Sequence, residues 1–451
     1  MGMRSIVKKV VPTKLFRDLE PFGHLGEAII EETLAGFPAK DMKVIGVTGT
    51  DGKTSTCTLI TAMLRNAGFK VAMMTTISID FGDGIEHPNP TRLTSLGSAQ
   101  LIRRLKQIKG FNPDWLVLET TSHALAQHRV WGVPYSIGVM TNVGREHLDY
   151  HRTFERYRDA KKMLFQQVSA NKKGLRVGIA NADDPSGKLF AAAVKNPVLY
   201  GVNGGDLKAT DIKLTPSGST YLATIGSDSY KIICHLPGSF NVYNSLACVA
   251  VGLAIGLSKE QIEQGIDSLQ SVEGRMTRVD EGQDFDVIVD YAHTPESFEK
   301  VIKEVRPLVK GRIITVFGSA GRRDVEKRAT QGEVAGRLGD VVIATEEDDR
   351  DIDGQEILEQ IASGAQKAGR IKDKDLFLVH DREKAIEAAF NMSKAGDMVL
   401  LLGKGHEKSI LSNGPKAAAH RSRPQDDSDL ERVVKRDYDE VSAAREILKK
   451  R

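Results

Sequence analysis

The loop around Lys53 carries the strongest signal for chemistry in the sequence. Residues 46–54 read Gly-Val-Thr-Gly-Thr-Asp-Gly-Lys-Thr and separate a β-branched run from a helix predicted over Thr54 to Ala67. Glycines let backbone N–H groups surround phosphate oxygens, a lysine adds positive charge, and the next hydroxyl can ligate Mg²⁺. Val47 stands where the standard phosphate loop has glycine, so a structural glycine turn is the alternative. The order of strand, loop and helix favours a nucleotide triphosphate site.

Three further candidates are Glu119, His147 and Lys161. Glu119 ends the apolar run 116–118, and His147 lies in the polar stretch 141–151. A carboxylate at the carboxyl end of a strand can hold Mg²⁺, and a neutral imidazole can ligate a metal. Taken singly, the first would be a solvated loop residue and the second a capping or solvent-facing side chain. Lys161 lies in a predicted helix, where a lysine on an exposed face is usually solvated.

The elements that must position these residues form an α/β protein. Apolar runs at 115–118, 136–140 and 178–180 alternate with helix-like segments, which predicts a mostly parallel sheet covered on both faces. Residues 204–236 alternate in short runs and predict an antiparallel appendage to that P-loop-like sheet. After a linker at 270–274, a second strand and helix series predicts a Rossmann-like C-terminal domain.

We therefore predict a short N-terminal segment at 1–41, a central ATP-binding domain at 42–272 and a C-terminal domain at 273–451. The second series has its strands at 285–289, 313–317, 341–344 and 398–402. About forty residues precede the first strand, which is too few for an ordinary domain.

Composition excludes several classes of protein. With 451 residues, 40% hydrophobic and 27% charged, the chain is neither disordered nor fibrous. A net charge of +3 gives no general attraction to nucleic acid or anionic membranes. Three cysteines without a metal-ligand spacing predict buried thiols in a reducing cytoplasm. The basic N-terminus lacks a long apolar run, so we expect no integral membrane segment. Our separate expectation is a monomer.

Several motifs resemble those of one family. Residues 49–54 resemble the Gly-Thr-x-Gly-Lys-Thr/Ser loop of the Mur ligases, and residues 119–125 resemble the Glu-x-Ser-Ser-His-Ala-Leu block of their MurE type. Residues 141–151 are similar to the Thr-Asn-x-x-x-Asp-His-Leu-Asp-Tyr-His signature, with Glu146 replacing aspartate. The resemblance extends from about Lys43 to the C-terminal region. It implies an ATP-dependent ligase that joins an amino acid to a carboxylate through an acyl-phosphate in peptidoglycan precursor synthesis.

The resemblance also implies roles for individual residues. The nucleotide would be bound by Gly49, Thr50, Asp51, Gly52, Lys53, Thr54, Asn241, Asn244, Arg275, Asp290 and His293. Mg²⁺ would be held by Thr54, Glu119, His147 and Lys161, the last as a carbamate, and Lys53, His147 and Lys161 would be catalytic. The acceptor would contact Thr94, Ser95, Thr121, Ser122 and Arg129, and the incoming amino acid Arg350, Gly403 and Glu407.

The expected substrates are small molecules: a nucleotide-sugar peptide such as a UDP-N-acetylmuramoyl-dipeptide, and an amino acid. At residues 345–350 the family's Asp-Asn-Pro-Arg motif is reduced to Arg350, which could hold the distal carboxylate of diaminopimelate. Lysine or another amino acid stays open. The alternatives are a Mur-fold ligase for another acceptor, of pseudomurein or polyglutamate type, and a catalytically inactive nucleotide-binding homologue.

Overall fold

The structure, a computed structural model, describes residues 13–89, 96–322, 325–413 and 433–451. It divides the chain into two compact units. The first comprises the chain before residue 214 together with residues 219–234 and 240–270. The second comprises residues 214–218, 235–239 and 271–451. In the described ranges, no helix is both long and apolar enough to cross a bilayer.

The first unit is built on a sheet of eleven described strands. In chain order β1 to β11 are Val44–Thr48, Val71–Met74, Ser78–Asp80, Glu86–Pro88, Trp115–Glu119, Tyr135–Met140, Val177–Asn181, Asn196–Gly201, Leu207–Thr215, Gly218–Ile225 and Asp228–Cys234. Across the sheet they follow the order β11-β10-β9-β8-β7-β6-β1-β5-β2-β3-β4. Neighbours from β9 to β2 pair in parallel. The predicted mostly parallel sheet is confirmed.

Both edges of this sheet differ in detail from the sequence-based prediction. The predicted antiparallel appendage starts with β9, which pairs in parallel with β8 and adjoins β10, and β10 and β11 form a long antiparallel hairpin. At the other edge β3 and β4 add two short antiparallel strands that we did not predict. Strands of three residues are too short to show an alternating pattern.

Nine described helices belong to this unit. In chain order α1 to α9 are Thr13–Ala35, Lys53–Asn66, Ser98–Phe111, Ser122–Ala126, Leu148–His151, Phe154–Ala170, Gly187–Ala191, Ser239–Ile255 and Lys259–Asp267. Helix α6 begins where the Thr153 hydroxyl accepts a hydrogen bond from the Arg156 N–H, and its buried face includes Tyr157, Lys161 and Leu164. Residues three and four apart share one helix face, so this stripe carries Lys161 inward with the apolar residues.

The second unit contains a six-stranded sheet among the described residues. Strands β12 to β17 are Thr277–Arg278, Asp286–Asp290, Ile313–Phe317, Val341–Ala344, Leu376–Leu378 and Met398–Leu402, and they lie in the order β12-β13-β17-β14-β15-β16. All neighbours except β12 and β13 pair in parallel. The strands β18, Ser409–Asn413, and β19, Val433–Asp437, form a separate antiparallel pair.

Helices cover both faces of that sheet. Helices α10 to α14 are Pro295–Val305, Glu326–Leu338, Gly354–Lys367, Arg382–Met392 and Glu440–Lys449, with a short 3₁₀ turn at Arg306–Leu308. Alternate residues of β17 enter two different cores, Leu400 one and Leu401 the other. This is the pattern of a parallel sheet buried on both sides.

A buried ion pair joins α13 to α14 in the second unit. Arg382 and Glu440 both have fully buried side chains, and the guanidinium donates from Nε at 2.8 Å and from Nη2 at 2.7 Å. Removing one partner of such a pair leaves an uncompensated buried charge, so Glu440→Gln should lower the free energy of unfolding by about 3–5 kcal/mol. Urea denaturation measures this, with Glu446→Gln on the exposed face of α14 as control. Equal unfolding midpoints for both variants would contradict the expectation.

Candidate active site

The phosphate loop lies at the carboxyl end of β1, between β1 and α2. Gly52 has φ of 80° and precedes α2, and a β-carbon there would collide with the Asn244 side chain. The ammonium of Lys53 bends back onto the loop and donates to the carbonyl oxygens of Gly49 at 3.0 Å and Thr50 at 2.8 Å. Glycine at residue 52 is therefore required by both backbone conformation and close approach.

The loop is tied to the segment that follows β6. The Asn142 side chain accepts a hydrogen bond from the Asp51 N–H at 2.9 Å and donates to the Asp51 carbonyl at 3.1 Å. The Thr141 hydroxyl donates to the same carbonyl at 2.6 Å, and the Gly144 N–H donates to the Thr50 hydroxyl at 2.8 Å. The strand β6 is the parallel neighbour of β1, so the sheet itself brings the two segments together.

Glu119 is buried at the end of β5, the other parallel neighbour of β1. Its carboxylate accepts hydrogen bonds from the Thr54 hydroxyl at 2.9 Å, the Thr76 N–H at 2.9 Å and the Thr76 hydroxyl at 3.0 Å. A carboxylate and a hydroxyl facing each other beside a phosphate loop are the hard oxygen ligands that Mg²⁺ prefers. Thr54 and Glu119 thus fit the ion that the resemblance implies.

Lys161 reaches the same loop from α6. Its side chain is fully buried, its ammonium donates to the Gly49 carbonyl at 2.6 Å, and it lies 4.6 Å from the centre of the Tyr157 ring. Burial, followed by repulsion from Lys53, lowers the pKa of Lys161 well below its usual value. Two lysines 108 positions apart in sequence therefore donate to one carbonyl oxygen, and the solvated alternative for Lys161 is wrong.

The Tyr157 hydroxyl links three segments of the site. It lies 3.0 Å from the Thr50 hydroxyl and donates to the Glu146 carboxylate at 3.3 Å. Its ring lies against Lys161 one helical turn away. One side chain thus connects the phosphate loop, the loop before His147 and the helix of Lys161.

His147 lies at the start of α5 with φ of 55° and a side chain that is 45% exposed. Its ring centre is 4.7 Å from that of His123, and the ring centre of His123 is 5.2 Å from that of His151. His151 in turn lies 3.1 Å from the Ser122 hydroxyl. The predicted acceptor residue Ser122 therefore lies beside the same group of histidine rings as His147, and the exposed His147 ring is accessible to a metal ion.

Two other predicted acceptor residues, Thr121 and Arg129, flank α4. The Thr121 hydroxyl caps α4 by accepting from the Ala124 N–H at 3.1 Å, and Arg129 is half-buried just beyond that helix. Thr94 and Ser95 lie outside the described residues.

Asn241 and Asn244, predicted near the adenine, lie on α8. The Asn244 side chain donates to that of Asn241 at 2.9 Å and accepts from the Thr56 hydroxyl at 3.2 Å. Thr56 is in the first turn of α2, immediately after the phosphate loop. Both asparagines therefore lie next to the phosphate loop.

Arg275, Asp290 and His293 cluster within the second unit. Asp290 ends β13, accepts from the N–H groups of Met276 at 2.8 Å and Ala292 at 2.7 Å, and has its pKa raised by burial. The Arg275 guanidinium lies 5.1 Å from the centre of the Tyr291 ring. His293 Nδ1 lies 3.0 Å from the Tyr291 carbonyl, and burial lowers the pKa of His293. A neutral imidazole and a half-buried guanidinium at a strand end suit contacts to a nucleotide.

The residues predicted to read the amino acid lie at the carboxyl ends of β15 and β17. Arg350 has φ of 57° and donates from Nη1 to the Gly321 carbonyl at 3.2 Å. Glu407 accepts from the buried Lys404 ammonium at 2.6 Å, and Lys404 also donates to Asp348 at 2.9 Å. Gly403 has φ of 102°, and a β-carbon there would lie 2.9 Å from Glu347 Oε2.

The cations near the end of β14 are already bound by the protein. Arg322 forms a two-bond ion pair with Asp351, and the buried Arg328 donates to the Gln360 side chain at 2.6 Å. Near β15 and β16, Asp349 and His380 form a 2.6 Å pair that raises the pKa of His380. These groups are therefore paired with one another within the second unit.

The sequence did not reveal the roles of four residues of the site. These are Thr76, the Asn142 amide that bonds to the Asp51 backbone, the Tyr157 hydroxyl and Lys404. A signal existed for Thr76, since Thr75 and Thr76 follow the apolar run of β2 as polar residues follow β1 and β5. For Lys404 one partner, Asp348, is 56 residues away in sequence, and no local pattern indicates it.

Comparison with known proteins agrees with this geometry. Residues 47–252 match the Mur ligase middle domain, and residues 274–405 match the Mur ligase glutamate ligase domain. A UDP-N-acetylmuramyl-tripeptide synthetase of Roseiflexus sp. is 39% identical, over 87% of this chain and 79% of that one. A UDP-N-acetylmuramoyl-L-alanyl-D-glutamate–2,6-diaminopimelate ligase of Geobacillus kaustophilus is 38% identical, over 86% and 78%.

Solved structures give the same result. A UDP-N-acetylmuramoyl-L-alanyl-D-glutamate–2,6-diaminopimelate ligase superposes with a TM-score of 0.65 at 28% identity, covering 91% of this chain and 78% of that one. The MurF ligase of Thermotoga maritima in complex with ADP has a TM-score of 0.59 at 21% identity, over 82% and 80%, and shares the fold. Both family models match, and the two relatives align over more than three quarters of their own length. The chain therefore belongs to the Mur ligase family, with relatives of the MurE type.

Proposed function

We propose that this chain adds diaminopimelate to a UDP-N-acetylmuramoyl-dipeptide, using ATP and forming ADP. The observation that carries the proposal is the convergence of Lys53 and Lys161 on the Gly49 carbonyl beside the Thr54 and Glu119 pair. The Lys53 ammonium, a carboxylate and a glycine loop at one strand end, with a second lysine beside them, fit a transferring phosphoryl group and its metal ion.

Lys53 is the residue proposed to contact the phosphates of ATP. Its ammonium bonds only to backbone carbonyl oxygens in the described structure, so it can turn to a phosphate without breaking a side-chain ion pair. Mg²⁺, when held by Thr54, Glu119 and His147, supplies positive charge that offsets the charge of the phosphate oxygens. The role of the chain is then positioning and electrostatic stabilisation, without a protein nucleophile.

The reaction has two displacement steps. A carboxylate oxygen of the acceptor attacks the γ-phosphorus of ATP, the bond from γ-phosphorus to the bridging oxygen breaks, and ADP leaves. The amine then attacks the acyl carbon, phosphate leaves, and the amine loses a proton to form the amide. Thr121, Ser122 and Arg129, with Thr94 and Ser95, are the residues proposed to hold the acceptor.

Lys161 is proposed to act as a carbamate. A neutral lysine amine adds to the carbon of CO₂, and the proton lost from nitrogen goes to solvent. Geometry supports this: the amine is fully buried, shares the Gly49 carbonyl with a second lysine, and has no carboxylate hydrogen-bonded to it in the described structure. Conversion to an anion replaces repulsion between two cations with attraction.

The second unit supports diaminopimelate as the amino acid. Arg350 Nε and Glu347 Oε2 are both buried without a hydrogen-bond partner among the described residues. The Asp348 carboxylate accepts from the Leu411 N–H at 2.9 Å, and the Arg350 N–H donates to the Leu411 carbonyl at 2.9 Å. Strand β18 thus holds both Asp348 and Arg350 in place. An available guanidinium and an available carboxylate suit a side chain that ends in both a carboxylate and an ammonium.

Two accompanying proposals concern the setting of the reaction. We place the protein in the cytoplasm, which is supported by three buried cysteines that are free thiols. We take the monomer as its working state, with small molecules as its partners.

An ADP-release assay tests the proposed function. The acceptors are UDP-N-acetylmuramoyl-dipeptide and the same dipeptide without UDP, each combined with diaminopimelate, lysine or glutamate. We expect release to require the UDP-linked acceptor and to be fastest with diaminopimelate. Release with glutamate and an unlinked acceptor would instead identify a ligase of polyglutamate type. No release with any pair would identify an inactive homologue.

A further inference from the structure

Lys404 is a fully buried lysine at the centre of the predicted amino-acid site. Its ammonium donates to Asp348 at 2.9 Å and to Glu407 at 2.6 Å, and its side chain has no exposed surface. A buried ammonium persists only when carboxylates compensate for its lost hydration. Lys404 is therefore fixed by its partners, and it is shielded from any substrate.

The backbone around Lys404 is equally constrained. Gly403 and Gly405 on either side have φ of 102° and 49°, which favours glycine. A β-carbon on Gly405 would lie 2.9 Å from the Tyr291 nitrogen, and the Glu407 N–H donates to the Lys404 carbonyl at 2.8 Å. This turn holds the lysine and Glu407 in a single arrangement.

Glu347 is a third carboxylate beside this turn. Asp348 and Glu407 are both hydrogen-bonded to the Lys404 ammonium, whereas Glu347 is not. Glu347 Oε2 has no hydrogen-bond partner among the described residues, although the residue is only 7% exposed. Burial raises the pKa of Glu347 although Lys327, Lys404 and Arg382 act to lower it. The unpartnered Glu347 oxygen is thus an acceptor that an added ammonium group could satisfy.

We propose that Lys404 is a positioning residue for the incoming amino acid. Its ammonium holds Asp348 and Glu407 together across the Gly403 turn, which leaves the Glu347 carboxylate to receive an ammonium group of the substrate. Lys404 acts through these carboxylates and does not contact the substrate. The inference rests on the proposed function, because it assumes that an amino acid binds at this turn.

The test measures KM separately for each substrate in Lys404→Met and Lys404→Arg. Loss of charge-assisted hydrogen bonds should raise KM for diaminopimelate roughly 10- to 100-fold in Lys404→Met. Lys404→Arg retains the charge but presents a planar fork, and we expect a KM increase in the same direction. KM for ATP should stay within about 2-fold of the wild-type value in both variants, because the substitutions alter only the site for the amino acid.

Lys408→Met is the matched control. Lys408 is in the same segment and contacts two carboxylates, Glu273 and Asp439, but its side chain is 45% exposed. Its replacement should leave all three KM values unchanged. An equal effect of the Lys404 and Lys408 substitutions would overturn the proposal.

Positional isotope exchange in ATP separates positioning from a merely structural role. Exchange of labelled oxygen between bridging and non-bridging sites needs ATP and the acceptor alone, so Lys404→Met should retain it. Loss of exchange together with ligation, failure of both variants to fold, or an unchanged KM for diaminopimelate would each overturn the inference. Failure of the proposed function is distinguishable, because the wild-type protein itself would then release no ADP in response to diaminopimelate.

Discussion

Lys53→Ala is expected to lower ATP-dependent ligation by roughly 10²- to 10³-fold or more while the protein stays folded. The ammonium is the cation of the phosphate loop, and its removal leaves the charge that develops on the phosphates without that stabilisation. In the described structure it bonds to two carbonyl oxygens of its own loop, so its loss should change unfolding little. ADP release and thermal denaturation of the same preparation measure both effects.

Lys43→Ala provides the control for this substitution. Lys43 is exposed and lies just before the same strand, at the opposite end from the phosphate loop. We expect near wild-type activity from it. A folded Lys53→Ala protein with full activity would exclude the proposed phosphate site.

Lys161→Ala is expected to lose ligation by a similar factor and to recover part of it with added short carboxylates such as acetate. The cavity left by the side chain lies beside the Gly49 carbonyl and the Tyr157 ring, and a small carboxylate can place an anion where the carbamate would lie. The carbamate itself can be observed by ¹³C NMR of protein equilibrated with labelled bicarbonate.

Lys162→Ala distinguishes this role from a general effect of lysine loss. Lys162 is the next residue on α6, and its ammonium pairs with Asp159 at 3.0 Å near the surface. It should retain activity and the carbamate signal. Unimpaired activity in Lys161→Ala, or a carbamate signal that persists in it, would reject the modification at this residue.

The phosphate loop and the parallel sheets could be predicted because their signals are local. A glycine loop between a strand and a helix needs only nine consecutive residues, 46–54, to be recognised. Parallel strands buried on both faces produce continuous apolar runs, and Trp115–Leu118 is one of them. The gathering of Glu119 and Asn142 around Lys53 then follows, because β5 and β6 both adjoin β1 in parallel.

Tertiary packing decided the features that the sequence did not reveal. Lysine side chains are usually exposed, but Lys161 is on the same helix face as Tyr157 and Leu164 and is therefore buried with them. Thr76 and Glu119 are 43 residues apart, and Lys404 and Asp348 are 56 residues apart. Pairs at such separations depend on strand order, which local patterns do not contain. Their physical effect is large, since buried charges require partners.

A structure of the protein with a non-hydrolysable ATP analogue, Mg²⁺ and bicarbonate tests the central claim most directly. We predict that the γ-phosphate lies within hydrogen-bonding distance of the Lys53 ammonium, that Thr54 and Glu119 ligate the metal ion, and that the Lys161 side chain is extended by a carbamate. A triphosphate bound away from the loop at 49–54, with Lys53 still donating to the carbonyl oxygens of Gly49 and Thr50, would contradict the account.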